Sequence, residues 1–134
     1  MTETILFDID IACTGTPTLE FYIDDRLYPR SMFTATLEFG KHTLSIVHSG
    51  KTNHTPNQGA IIQGITVDGI DIETILYTDS VNTPIYPEPW ATQQRSAGVV
   101  LEETVRGQLE LAHNCTWQLE FTSPFYKFVM DHVR

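Results

Sequence analysis

The sequence predicts an all-β fold, a two-layer antiparallel β-sandwich of jelly-roll type with about eight or nine short strands. Three observations lead there. Apolar residues recur at every second position through several short runs, turn-forming residues separate those runs, and no amphipathic helical pattern lasts longer than two turns. A parallel βαβ arrangement would need helical patterns of about ten to fifteen residues between strands, and the sequence shows none.

The first strand is written in Phe7, Ile9 and Ile11, which alternate with Asp8 and Asp10. Gly15 and Pro17 mark a turn, and Leu19, Phe21 and Ile23 form a second strand that closes at Asp24-Asp25. Phe33, Ala35 and Leu37 share a face in a third strand, Met32 to Glu38, which Gly40 ends; Leu44 and Ile46 share one in a fourth, His42 to His48. Ser49 to Gly59 is almost free of apolar side chains and reads as a first long loop. Ala60 to Val67 is the most hydrophobic strand, Asp68-Gly69 a hairpin turn, and Ile72 to Tyr77 the returning arm. A short helix over Asp71 to Tyr77 competes there, weakened by its β-branched residues.

Asp79 to Gln94 is a second long loop, in which Pro84, Pro87 and Pro89 exclude both a helix interior and a central strand. The polar stretch up to Gly98 continues the irregular segment, and Val99 to Glu102 begins another strand. Leu109 and Leu111 share a face, His113-Asn114 turns the chain, and Trp117, Leu119 and Phe121 alternate with Thr116, Gln118 and Glu120. That pattern makes Trp117 a core residue whose indole N–H needs an internal partner. After Pro124, Phe125 to Val129 is either a short edge strand or one closing turn.

A chain of 134 residues suits a single domain, 1–134, that folds without metal or disulfide support. With 41% hydrophobic and 19% charged residues, global disorder is excluded. Eight basic residues against seventeen acidic ones give a net charge of −9, and the basic ones are scattered from Arg26 to Arg134. No basic stripe is available to displace counterions from phosphates, so nucleic acid is not an expected partner, and the same charge opposes docking on an anionic membrane. The opening Met-Thr-Glu-Thr has neither the basic segment nor the apolar run of a signal peptide, and no apolar stretch is long enough to cross a bilayer.

Cys13 and Cys115 stand about a hundred residues apart without any CxxC pair; two reduced, buried thiols are the plainer reading and a disulfide between terminal strands the alternative. Asn53-His54-Thr55 and Asn114-Cys115-Thr116 match the glycosylation acceptor pattern, which a Thr-rich chain produces by chance.

No nucleophile elbow, phosphate-cradling glycine loop, HExxH or EF-hand spacing occurs, so an enzyme is not expected. His42 and His48 would share a strand face but lie about 20 Å apart, too far for one zinc ion. Calcium fits the acidic turns better: Asp24, Asp25, Asp68, Asp71 and Glu73 sit at or beside strand ends, where carboxylates and carbonyls could supply its oxygens. The loop Thr83-Pro84-Ile85-Tyr86-Pro87-Glu88-Pro89-Trp90 is the most distinctive feature. Its prolines restrict the backbone, so Tyr86 and Trp90 form a preordered aromatic surface. In a sugar-binding module these rings would stack on pyranose faces while Asp25, Asn53 or Glu88 accepted hydroxyl hydrogen bonds. In an assembly protein they would anchor in a neighbour, and the plain structural alternative is that Trp90 covers one end of the core.

Gly40 to His48, followed after a polar loop by Ala60 to Gly69, resembles the middle of non-catalytic carbohydrate-binding β-sandwich modules. Asn114 to Tyr126, with its Cys-Thr-Trp strand and Pro-Phe-Tyr tail, resembles small proteins of tailed bacteriophages. The second resemblance implies a viral structural protein, a capsid decoration or tail-associated subunit located in the virion. Its partners would be capsid or tail proteins, or further copies of itself. The first implies the alternative, a calcium-assisted carbohydrate-binding module with a glycan as ligand.

Overall fold

The computed structural model describes residues 1–132. It overturns the all-β jelly-roll expectation: the fold is mixed α and β, with two open antiparallel sheets and three helices. Eleven strands are present among the described residues, three of them only two residues long.

The first sheet is centred on β1 (Thr2–Thr14), flanked by β4 (Met32–Glu38) on one side and β6 (Gly59–Val67) on the other. Two short strands, β7 (Ile70–Asp71) and β10 (Glu110–Leu111), pair with opposite ends of β6. The second sheet runs β3 (Arg26–Tyr28), β2 (Thr18–Ile23), β5 (Gly40–Ser49), β11 (Asn114–Ser123), β8 (Val81–Ile85) and β9 (Val105–Arg106).

Alternation sets which faces meet. Ile5, Phe7 and Ile9 of β1 and Phe33, Ala35 and Leu37 of β4 are buried, as are Leu44 and Ile46 of β5 and Trp117, Leu119 and Phe121 of β11, all within one core. In β6, Ile62 and Ile65 both point inward although three positions separate them. The register shift opposite Asp10 and Ile11 places an extra residue there, and this bulge keeps both isoleucines on the core side. Phe7 joins the layers, with its ring centroid 5.2 Å from Phe33 and 5.8 Å from Phe121.

The Asp68-Gly69 turn forms as expected, with positive φ at both central residues (51° and 79°), the signature of a two-residue type I′ hairpin. The returning arm, however, is only β7, and the chain then enters helix α1 (Glu73–Asp79). Ile72, Ile75 and Leu76 are all buried. Their spacing is that of one helical face, and burial of that face outweighs the weak propensity of the β-branched residues.

Helix α2 (Trp90–Ser96) occupies the segment expected to be irregular. Pro87 and Pro89 precede its first turn, where a missing N–H costs nothing. The Glu88 carboxylate accepts from the Thr92 N–H (3.3 Å) and hydroxyl (2.5 Å). Pro84 lies within β8, contrary to the expectation that it excludes a central strand. It is tolerated because β9 pairs only with Val81 and Asn82, which leaves the Pro84 position an edge on that side.

Val99 to Glu102 is not a strand; β9 and β10 form farther on. The C-terminal segment is neither an edge strand nor a single turn but helix α3 (Phe125–His132), which buries Phe125 and Phe128. A Glu3 carboxylate oxygen from β1 accepts the Phe125 N–H (2.8 Å) and the Ser123 hydroxyl, satisfying an otherwise orphan donor at the helix start.

Trp117 is fully buried, as its alternation predicts, but its indole N–H finds no acceptor among the described residues. The two cysteines are unpaired and lie in different sheets; Cys13 is exposed, and Cys115 is buried. Burial pushes the Cys115 thiol up to about 11, only partly offset by the His48 backbone N–H beside it.

Two histidines have their cationic forms favoured by hydrogen-bond acceptors on both ring nitrogens. The His42 Nδ1–H donates to Asp24 (2.7 Å) and its Nε2–H to the Glu38 carbonyl (2.6 Å). The His132 Nδ1–H donates to the Phe128 carbonyl (2.8 Å) and its Nε2–H to Asp79 (2.5 Å). Burial works against each charge, yet these bonds prevail and both pKa values lie above the ordinary 6.5. A histidine raised in the folded state stabilises fully below its unfolded pKa, and that contribution disappears as pH rises through the folded value. The thermal midpoint is therefore expected to fall from about pH 6.5 into the alkaline range. A His42→Gln/His132→Gln double variant should flatten this limb in a series of melts across pH; an unchanged slope would show that the two pairs do not cause it.

Candidate functional site

The first long loop is fastened to the β10–β11 turn by amide groups. The Lys51 N–H donates to Asn114 Oδ1 (2.9 Å), and Asn114 Nδ2–H returns a bond to the Lys51 carbonyl (3.0 Å). Lys51 Nζ donates to the Ala112 carbonyl (2.5 Å). Inside, the buried Gln58 amide donates to His48 Nε2 (3.2 Å), and His48 Nδ1–H donates to the His113 carbonyl (2.7 Å). These partners fix His48 as the neutral Nδ1–H tautomer. The loop closes on itself through the Thr55 N–H to the Thr52 carbonyl (3.0 Å) and the Gln58 N–H to the Thr55 carbonyl (3.1 Å).

The Pro-rich loop faces this assembly. The Tyr86 hydroxyl donates to the Glu102 carbonyl (2.6 Å), which sets its ring. Trp90, at the first position of α2, lies 6.2 Å from Tyr86 and 5.7 Å from the His113 ring, and His113 meets Tyr86 edge-on at 5.3 Å. Burial, then the Lys51 charge, hold the His113 pKa below its ordinary value, so its ring is neutral near pH 7.

Between the first long loop and the segment joining β8 to α2 lies a cleft of about 700 Å³. Ile85, Pro87 and Trp90 give it apolar lining; Lys51, Asn53, His113 and Asn114 give it polar groups. Among the described residues no carboxylate lines it. Trp90 is 38% exposed, so it is not simply a cover over the core. Lys51 is committed to Ala112, whereas the Asn53 amide and the His113 ring nitrogens have no hydrogen-bond partner among the described residues.

The structure therefore brings Asn53 and Trp90 together in the cleft and adds His113, Lys51 and Asn114, while Tyr86 packs behind Trp90 and His113 without lining it. Glu88 is nearby in sequence but is spent on Thr92 in α2, with Arg95 at 3.8 Å. Asp25 lies elsewhere, beside Arg26, Tyr28 and His42 in a shallow groove. Since β2 meets Leu44 and Ser49 of β5 at its two ends, Asp25 and Asn53 belong to opposite ends of that strand, separated by roughly 20 Å.

The five acidic residues read as calcium ligands each have a place in a turn or remain apart. Asp24 receives the Thr43 N–H (3.0 Å) and His42. Asp68 Oδ1 accepts the Leu6 N–H (2.8 Å) while its own N–H donates to the Leu6 carbonyl (2.8 Å), so it extends the ladder of β1. Asp71 accepts the Glu73 N–H (2.9 Å) at the start of α1. Among the described residues no three His, Cys, Asp or Glu side chains converge as a metal would require.

A second hollow, about 560 Å³, lies across β11, β8 and β9. Its charged groups are partly spent internally, with Arg106 on the Thr78 carbonyl and Asp79 on His132. Its phenylalanines, Phe121 and Phe128, are buried and offer no ring face.

Comparison with known proteins finds no family model, curated protein or solved structure that matches this chain.

Proposed function

We propose that this protein is a non-catalytic binding domain that takes a sugar unit or short oligosaccharide in the cleft between the Ser49 to Gly59 loop and the Pro-rich segment that joins β8 to α2. The observation that carries this reading is that the rings of Trp90 and His113, backed by Tyr86, line a cleft together with the free amide of Asn53. A pyranose has an apolar face that packs on a ring and a rim of hydroxyls that needs donors and acceptors, and the cleft supplies both. Its volume lies within the range of small-ligand sites.

The carboxylates considered for calcium do not line the cleft, so binding is expected to persist in the presence of a chelator. The segment resembling phage proteins, Asn114 to Tyr126, places Cys115, Trp117, Leu119 and Phe121 in the core. Packing accounts for those residues.

A glycan array followed by fluorescence titration tests the proposal. Trp117 is fully buried and Trp90 lines the cleft, so bound sugar should change the Trp90 emission. Trp90→Ala is expected to weaken binding by about tenfold or more. Absence of any glycan signal at millimolar ligand, or full retention of affinity in Trp90→Ala, would sink the sugar-binding reading.

A further inference from the structure

We propose that the outer edge of β4 pairs with the same edge of a second copy of this chain, joining the two first sheets across a two-fold axis. The surface is separate from the cleft and does not depend on its ligand.

Backbone direction supplies the first support. The Ile9 N–H donates to the Ser31 carbonyl (2.9 Å) and the Phe39 N–H to the Met1 carbonyl (3.0 Å). In an antiparallel ladder these directions alternate, so Phe33, Ala35 and Leu37 turn their amides and carbonyls to β1. Met32, Thr34, Thr36 and Glu38 turn theirs outward, and no strand of the described residues pairs with them. Their side chains are all exposed.

Monomeric proteins blunt such edges with lysine, proline or a bulge. Met32–Glu38 contains neither residue, and its register with β1 is uninterrupted. A groove of about 490 Å³ runs beside Thr36 and Glu38, bounded on its far side by Asp25, Arg26 and Tyr28, so this stretch is open to an incoming strand.

Charge selects the occupant and its register. Arg30 and Glu38 flank the edge, both are exposed, and neither makes a salt bridge among the described residues. Outward-facing residues must oppose outward-facing residues. Centring the axis on Thr34 sets Met32 against Thr36 and Arg30 against Glu38, and symmetry makes each pairing twice. Centring it on Ala35 would set Arg30 against Gly40, and centring it on Thr36 would set Arg30 against His42, which already faces Asp24. Of these three, only the Thr34 register joins unlike charges, offsetting part of the repulsion between copies that each carry −9.

Sedimentation of the full chain over a concentration series, with amide exchange read at β4, tests the pairing. The wild type should pass from monomer to dimer with rising concentration, and the Met32, Thr34 and Thr36 amides should gain protection over the same range. Glu38→Arg sets like charges opposite each other and should weaken association by about tenfold. The exchange Arg30→Glu/Glu38→Arg should restore it. Thr34→Pro removes an outward amide and should leave a monomer; if that variant fails to fold, the charge exchange still decides. A wild type that stays monomeric to about 1 mM, a dimer indifferent to Glu38→Arg, or failure of the exchange to restore association would overturn the proposal.

Discussion

Phe121→Ala is expected to destabilise the fold by about 3–5 kcal/mol, the range for deleting a fully buried aromatic ring that leaves a cavity. Phe121 is 2% exposed, and its ring meets Phe7 of the first sheet at 5.8 Å and Phe125 and Phe128 of α3 at 5.6 and 6.5 Å. It also lies 5.8 Å from the His42 ring. Removing it detaches three layers from one another, and the thermal midpoint should fall by roughly 10–20 °C. A urea titration would show the loss as a lower midpoint with an unchanged slope if the native state stays compact. A loss below about 1 kcal/mol would mean that neighbouring rings close the gap, contrary to the tight packing described.

Gly107→Ala is the second large effect, expected to cost about 2–5 kcal/mol. Gly107 has φ of 71°, and a β-carbon there would run into the carbonyl oxygen of Tyr77. Both contributions are unfavourable: the left-handed backbone strains any L side chain, and the blocking atom belongs to the backbone and cannot swing aside. The Gly107 N–H also donates to the Ser80 carbonyl (2.9 Å), tying the end of β9 to the end of α1. Alanine should therefore loosen α1 and β9 together, seen as faster amide exchange in both before the rest of the fold opens. A variant that melts like the wild type would contradict the close approach of Gly107 to Tyr77.

Strand positions were legible wherever one face is wet and the other buried. Trp117, Leu119 and Phe121 announce the buried face of β11 through period-two spacing, and Asp68-Gly69 announces its hairpin because few other pairs accept positive φ twice. The helices were hidden for separate reasons. In α1 the spacing of Ile72, Ile75 and Leu76 was present in the sequence, but β-branching argued for a strand until tertiary burial decided. In α2 the prolines fall just before the helix, where they initiate rather than break it. In α3 the capping group, Glu3, lies at the other end of the chain and leaves no local mark.

The cleft was half legible. Tyr86 and Trp90 stand out among prolines, and Asn53 sits in an evident loop. His113 reads locally as one residue of a turn; its part appears only when β8 and β11 pair and bring Ile85 opposite Asn114. Lys51 and Asn114 were missed for the same reason, since their mutual bonds join segments 63 positions apart. Asp25 and Glu88 carried the right chemistry, but one is at the distant end of the sheet and the other supports a helix.

That bond pair between Asn114 and the Lys51 backbone separates anchorage from recognition. Asn114 grips only the main-chain atoms of Lys51, and the loop side chains that reach the sheet, Lys51 and Gln58, stand at its two ends, so the anchor is blind to the identity of Asn53 and His54. Those residues can be exchanged, by drift or by a randomised library, while the point where the loop leaves the sheet stays fixed. The domain thus has the makings of a scaffold on which ligand preference can change faster than architecture.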